Sequence, residues 1–294
     1  MSRISTIIYY FLIYAIFANT FYLGNSTTLQ HGNGIIINVR SFRVRADGRS
    51  DDSWAFNAAW EKACNSKGNV TLLIPKGTYL VGPLKLRGPC EQVTSLTVLL
   101  KGTLKAKTDL SEYEFGSGWI EFAWINGLTL TGGGVFDGQG AKAWPYNTCP
   151  TSSNCDLLPT NLKFVGMNRT TVHDITSLNS KFFHLALVEC RDFEGSKLEI
   201  LAPEDSPNTD GIHLERSSNA PSRVRLSNIY FKNIRGTSLS EVAVTLSCSK
   251  GIPCKNIFLQ NVHLNLTSGE RLPVLTCENV KARYIGIQMP PPCP

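Results

Sequence analysis

Side chains able to move protons crowd into one stretch of the chain. Glu204, Asp205, Asp210, His213 and Glu215 are followed by Arg216, Arg223 and Arg225. A carboxylic acid and a carboxylate can act as general acid and general base if each reaches the proton it transfers. Arginines can fork onto a carboxylate of a bound molecule, although a solvated cationic face is the safer reading of these three. Taken alone, Asn208-Thr-Asp210-Gly describes a turn. Glu204 and Asp205 fall in the loop before it, where solvated residues are expected. His213 reads as a strand-surface residue rather than a proton donor or ligand. Period-two alternation gives Asp210 the parity of Ile212 and Leu214, which should point inward. Gly211 can reset that register as a bulge.

Nothing argues for a metal or cofactor. Nine cysteines occur, none in a Cys-x-x-Cys pair, so zinc is not indicated. They fall as Cys149/Cys155, Cys248/Cys254 and Cys277/Cys293, with Cys64/Cys90 further apart; Cys190 is left over and reads as a buried thiol in a strand. Such pairs close loops in an oxidising compartment. The N-terminus agrees, since Arg3 precedes an eleven-residue apolar stretch, Ile7 to Phe17, the pattern of a secretory signal ending near residue 24. Asn-x-Ser/Thr triplets at Asn25, Asn69, Asn168 and Asn265 fit secretion. No stable membrane insertion is expected. The net charge of +6 contains no dominant basic run, which disfavours nucleic acid and suits an acidic polymer.

The positioning elements are short strands. Asp51, Asp52 and Ser53 can cap a helix over Ser53–Ser66, which Lys67-Gly68 ends. Strands are expected at Val70–Pro75, Thr78–Val81, Leu96–Leu100, Trp119–Ile125 and Leu128–Leu130, with no helices between them, which argues against a βαβ sheet. Asn228-Ile-Tyr-Phe-Lys-Asn-Ile recurs as Asn256-Ile-Phe-Leu-Gln-Asn-Val at an offset of 28. Repeats of this length indicate a solenoid or propeller. A parallel β-helix with the helix as its cap fits best, and a propeller or sandwich is not excluded by periodicity.

Several segments, in order, resemble plant-type polygalacturonases of glycoside hydrolase family 28. They are Val44–Cys64, Ile74-Pro-Lys-Gly-Thr-Tyr79, Gly133–Gly140, Ala202–His213, Val242–Cys254 and Met289–Pro294. The resemblance implies an all-β, right-handed single-stranded parallel β-helix over 25–294. It also implies a secreted, monomeric hydrolase of the α-1,4-galacturonan of pectin in the plant cell wall, needing no cofactor. Inverting hydrolysis uses one acid to protonate the leaving oxygen and one base to activate water, about 6.5–9.5 Å apart. On that reading Asp210 is the catalytic candidate, and Asn208, His213, Arg223 and Arg225 bind substrate.

The family's Gly-Asp-Asp-Cys, Gly-His-Gly and Arg-Ile-Lys motifs are absent. Glu215–Ala220 runs straight into Pro221–Ile234, which resembles a later coil, so roughly four coils of about 20–28 residues are missing near 219–221. Impaired or lost hydrolysis is therefore expected. The alternatives are a non-catalytic pectin-binding β-helix or a shortened product of a gene whose full form is an enzyme. The coil ending near Arg216 should then pack directly on the one beginning near Arg223.

Overall fold

The computed structural model describes residues 29–31, 34–149, 155–203, 206, 211–215, 226–238, 241–251, 253–266 and 272–293. The chain opens with β1 (Leu29–His31), β2 (Gly34–Asn38) and β3 (Asp47–Asp51), followed by helix α1 (Ser53–Cys64). Two coils follow: β4 (Gly68–Ile74), β5 (Thr78–Val81) and β6 (Leu84–Arg87), then β7 (Val93–Leu100), β8 (Thr103–Ala106) and β9 (Gly118–Ala123). The next comprises β10 (Leu128–Thr131), β11 (Val135–Asp137) and β12 (Thr160–Val165). Later coils have two strands each: β13 (Asn168–Leu178) and β14 (Leu185–Val188), then β15 (Arg191–Leu201) and β16 (Ile212–Glu215). The last are β17 (Ser227–Ser238) with β18 (Val242–Ser247), β19 (Cys254–Leu266) with β20 (Val274–Glu278), and β21 (Val280–Met289).

These strands build a right-handed parallel β-helix. One sheet stacks β6, β9, β12, β14, β16, β18 and β20 in coil order. The other has 14 strands; its two early rows merge where β13 pairs with both β10 and β11. Among the described residues only β1 runs antiparallel, against β2. Long strands stay continuous through corners because single residues there take left-handed backbone angles. One corner column is Asp174, Lys197, Asn233 and Asn261, and another is Arg169, Asp192, Asn228 and Asn256. Asparagine tolerates that conformation and can bond its copy one coil away. Asn256 Nδ2 donates to Asn228 Oδ1 at 2.9 Å, and Asn261 Nδ2 to Asn233 Oδ1 at 3.1 Å. The offset of 28 in the sequence is thus one coil.

Alternate residues of each strand face the interior, where Leu, Ile, Val and Phe form one core. Phe122, Phe164, Phe193 and Phe231 touch in succession, with ring centroids 5.5, 5.1 and 6.0 Å apart. Helix α1 covers the first coil with Phe56, Ala59, Trp60 and Ala63, and the Trp60 indole donates to Arg87 O at 3.1 Å. The helix stops two residues before the expected Ser66, since Gly68 already begins β4 with a positive φ. Asp52 occupies the N-cap position without a side-chain cap bond; its carboxylate instead accepts from the backbone N–H groups of Arg45 and Ala46, fixing the preceding turn. The strand expected to reach Ile125 ends at Ala123, because Trp124 is left-handed.

All four expected disulfides form, and Cys190 is free. Cys190 lies in the corner after β14 rather than in a strand, and burial pushes its thiol up to about 12. Among the described residues no helix is long and apolar enough to cross a membrane. The signal segment expected at 1–24 and the join expected near 219–221 lie outside the described residues.

Candidate active site

The coil that carries Asn208 and Asp210 enters the seven-stranded sheet through Gly211. Gly211 and Ile212 are both buried, Leu214 is buried, and His213 is half-buried. Two consecutive inward residues break strict alternation between 211 and 212. A Cβ on Gly211 would approach Leu264 Cδ1 to 3.0 Å and Ala243 O to 3.2 Å, so the corner favours glycine. Parity counted back from Ile212 therefore does not carry across Gly211. Asn208, Asp210, Arg223 and Arg225 themselves lie outside the described residues, as do Glu204, Asp205 and Arg216.

His213 is the one proposed site residue whose surroundings are described. It sits on β16 between Ala186 of β14 and Thr245 of β18. Its ring stacks on Phe183, with centroids 4.1 Å apart and planes 11° from parallel. It is thus a packed residue, not the open strand-surface residue that alternation predicts. Burial, with Lys163 nearby, depresses its pKa to about 4. At neutral pH this imidazole is uncharged: it can exchange a hydrogen bond but cannot hold a carboxylate by charge.

Beside it lies a buried polar group that pattern reasoning missed. Asn161 Nδ2 donates to Ser177 Oγ at 3.0 Å and lies within 3.3 Å of Phe136 O and 3.2 Å of Leu178 O. Ser177 Oγ in turn is 2.9 Å from His184 Nδ1, and burial drives the fully enclosed His184 down to about 3. Lys181 is almost wholly buried; its ammonium donates to Gly138 O at 2.6 Å and stands 4.8 Å from the Tyr113 ring centroid. Burial lowers its pKa to about 7, and Asp137 opposes that shift. The available signal was Asn179-Ser-Lys-Phe-Phe-His184, where a lysine and a histidine bracket two phenylalanines ahead of an apolar strand. Asp137 holds the glycine-rich turn after β11, accepting from Gln139 N at 3.0 Å.

The strands flanking β16 carry no carboxylate. β14 reads Leu-Ala-Leu-Val and β18 reads Val-Ala-Val-Thr-Leu-Ser. Pairing is direct on both sides, Leu185 to Ile212 and Ile212 to Val244. In the other sheet β15 pairs with β17, Phe193 with Ile229. The strands either side of the expected join therefore stack in register. No group of three potential metal ligands occurs among the described residues.

The glycosyl hydrolases family 28 model matches residues 64–221 and 215–286, and the two matches meet over 215–221. An exopolygalacturonase of Platanus acerifolia is 29% identical over 371 aligned positions, covering 88% of this chain and 97% of that protein. Since 88% of 294 residues is about 259, about 110 of those positions face gaps in this chain. An exopolygalacturonase of Zea mays is 41% identical over 187 positions, 64% of this chain and 45% of its own. The crystal structure of an exopolygalacturonase from Thermotoga maritima superposes with a TM-score of 0.66 at 18% identity, over 88% of this chain and 68% of that one. The stacked coils have their counterpart there, and with most of its length matched by the family model this chain is a member of glycosyl hydrolases family 28.

Proposed function

We propose that this protein is a secreted, monomeric, polygalacturonase-type β-helix that engages the galacturonan of pectin but hydrolyses it negligibly in this form. The observation that carries the reading is the direct stacking of β16 on β18. Asp210, one residue before Gly211, is the matched catalytic carboxylate. An inverting pair about 6.5–9.5 Å apart places its partner one or two coils away, because adjacent strands lie about 4.8 Å apart. Within their bounds β14 and β18 supply no carboxylate; two coils away β12 supplies none and β20 only Glu278 at its far end, while Glu241 stands one residue ahead of β18. The absent Gly-His-Gly and Arg-Ile-Lys motifs remove the remaining acid–base and cationic groups that the family resemblance implies. General acid–base help by one positioned group is worth about 10²–10⁴-fold, so loss of the leaving-group acid costs at least that much.

The test is release of reducing ends from polygalacturonate over days, with a full-length family member as control. We expect negligible turnover by the purified chain and no change in Asp210→Asn. Clear turnover abolished by Asp210→Asn overturns the reading, and would mean that Glu215 with Arg223 or Arg225 forms a site across the shortened coil. The gaps opposite about 110 aligned positions favour one further reading, a shortened product of a gene whose full form is an enzyme. Transcript sequence between the codons of Asn219 and Ala220 tests it. In-frame exons encoding Gly-Asp-Asp-Cys and Gly-His-Gly are the expected result, and an uninterrupted coding sequence overturns it.

A further inference from the structure

The seven-stranded sheet carries His213, but a basic concavity lies on the other sheet. Between the last two coils an open groove of about 650 Å³ is lined by Lys255, Asn256, Asn279, Lys281 and Arg283, and by no carboxylate. That volume falls within the range of about 300–1,000 Å³ usual for small-ligand sites. The three cationic side chains are exposed, and none forms an ion pair among the described residues.

Next to the cations runs an aromatic strip. Tyr230 and Phe258 are register partners whose rings stack 4.5 Å apart and 3° from parallel, and Tyr230 is exposed. Arg283, the partner of Phe258 on β21, holds its guanidinium 5.6 Å from the Phe258 ring centroid. Tyr230, Phe258 and Arg283 thus form one column that holds the Arg283 guanidinium in place at the side of the groove, and a carboxylate entering the groove can meet Lys255, Lys281 or Arg283.

We propose that this groove is a second binding site for acidic polysaccharide, a polyuronate, on the sheet opposed to the candidate active site. The inference takes the identity of the sugar acid from the function proposed above, but does not depend on whether the chain hydrolyses it. A rival explanation is that Lys281 and Arg283 guard the open edge strand β21 against pairing with another molecule. That rival does not account for Lys255, which lies on β19 between β17 and β21.

The experiment is affinity electrophoresis of the full chain in gels containing polygalacturonate, dextran sulfate or neutral dextran. The variants are Lys255→Gln alone, the triple Lys255→Gln/Lys281→Gln/Arg283→Gln, and Asp210→Asn. We expect polygalacturonate to retard the wild type and Asp210→Asn equally. The triple variant should bind about tenfold more weakly or worse, and Lys255→Gln to an intermediate degree, with unchanged melting curves. Unchanged binding by the triple variant overturns the site, as does a wild type that polygalacturonate does not retard. Equal retardation by dextran sulfate overturns its assignment to a polyuronate. If the triple variant aggregates, Lys255→Gln decides, and wild-type binding by that variant also overturns the proposal. Hydrolysis is read separately, so turnover of polygalacturonate would overturn the function proposed above without touching this site.

Discussion

Lys181, His184 and His213 show enclosure, rather than place along the chain, deciding charge. In the folded protein Lys181 titrates near 7 instead of 10.5, with burial the leading cause. Between those values the unfolded chain binds more protons than the folded one, so this residue makes stability rise with pH from about 7 towards 10.5. We expect the urea midpoint to increase between pH 7 and pH 9, and this slope to flatten in Lys181→Met, whatever that variant does to absolute stability. His184 and His213 work in the same direction at lower pH. Their folded values of about 3 and about 4 lie below 6.5, so stability falls as pH drops from 6.5 through 4. None of the three was legible beforehand. Nothing in a linear pattern says that Gly138 O and Tyr113 will meet Lys181. Cys190, by contrast, was legible as a buried free thiol, because its apolar neighbours leave no partner for it once four local pairs are drawn.

Among elements, the strands were the most readable because each is bounded by residues that must turn. Thr78–Val81 matches its expected limits, and the Asn228/Asn256 repeat marks the corners of one coil. The long strands β13, β15, β17 and β19 were harder to read. A left-handed residue in mid-strand looks like a break in sequence, yet it only bends the chain while the ladder continues. The helix start was read in part: Asp51 accepts from the Ser53 N–H, whereas Asp52 has two uses in sequence and the fold employs it on the turn behind it. The packing of β17 on β15 can be probed at Gly236. A Cβ added there would fall inside the van der Waals envelope of Ile200 O, which cannot move without breaking the ladder. Gly236→Ala should cost about 2–3 kcal/mol by chemical denaturation. A neutral effect would mean that β15 and β17 are not in contact at this register.

For the molecule as a whole, the decisive fact is that the described strands stack without a break. β14, β16, β18 and β20 are successive partners in one sheet, and Phe193 meets Phe231 in the core. A repeat protein owes its stability to each unit plus the interfaces between neighbours, and it divides where an interface is weak. No interface here is missing among the described residues, so we expect a single urea transition at which far-ultraviolet and tryptophan signals coincide. Two separated transitions, with the break between Glu215 and Ser227, would show that the halves fold independently. The same regular pairing also makes the molecule a ruler. Seven strands in the site-bearing sheet, spaced about 4.8 Å apart, set a track of about 29 Å from first to last. Gaining or losing coils can change that track only in whole steps of one strand spacing. The number of sugar units it can lie beneath is therefore counted in coils, while the coils that remain keep their tilt and register.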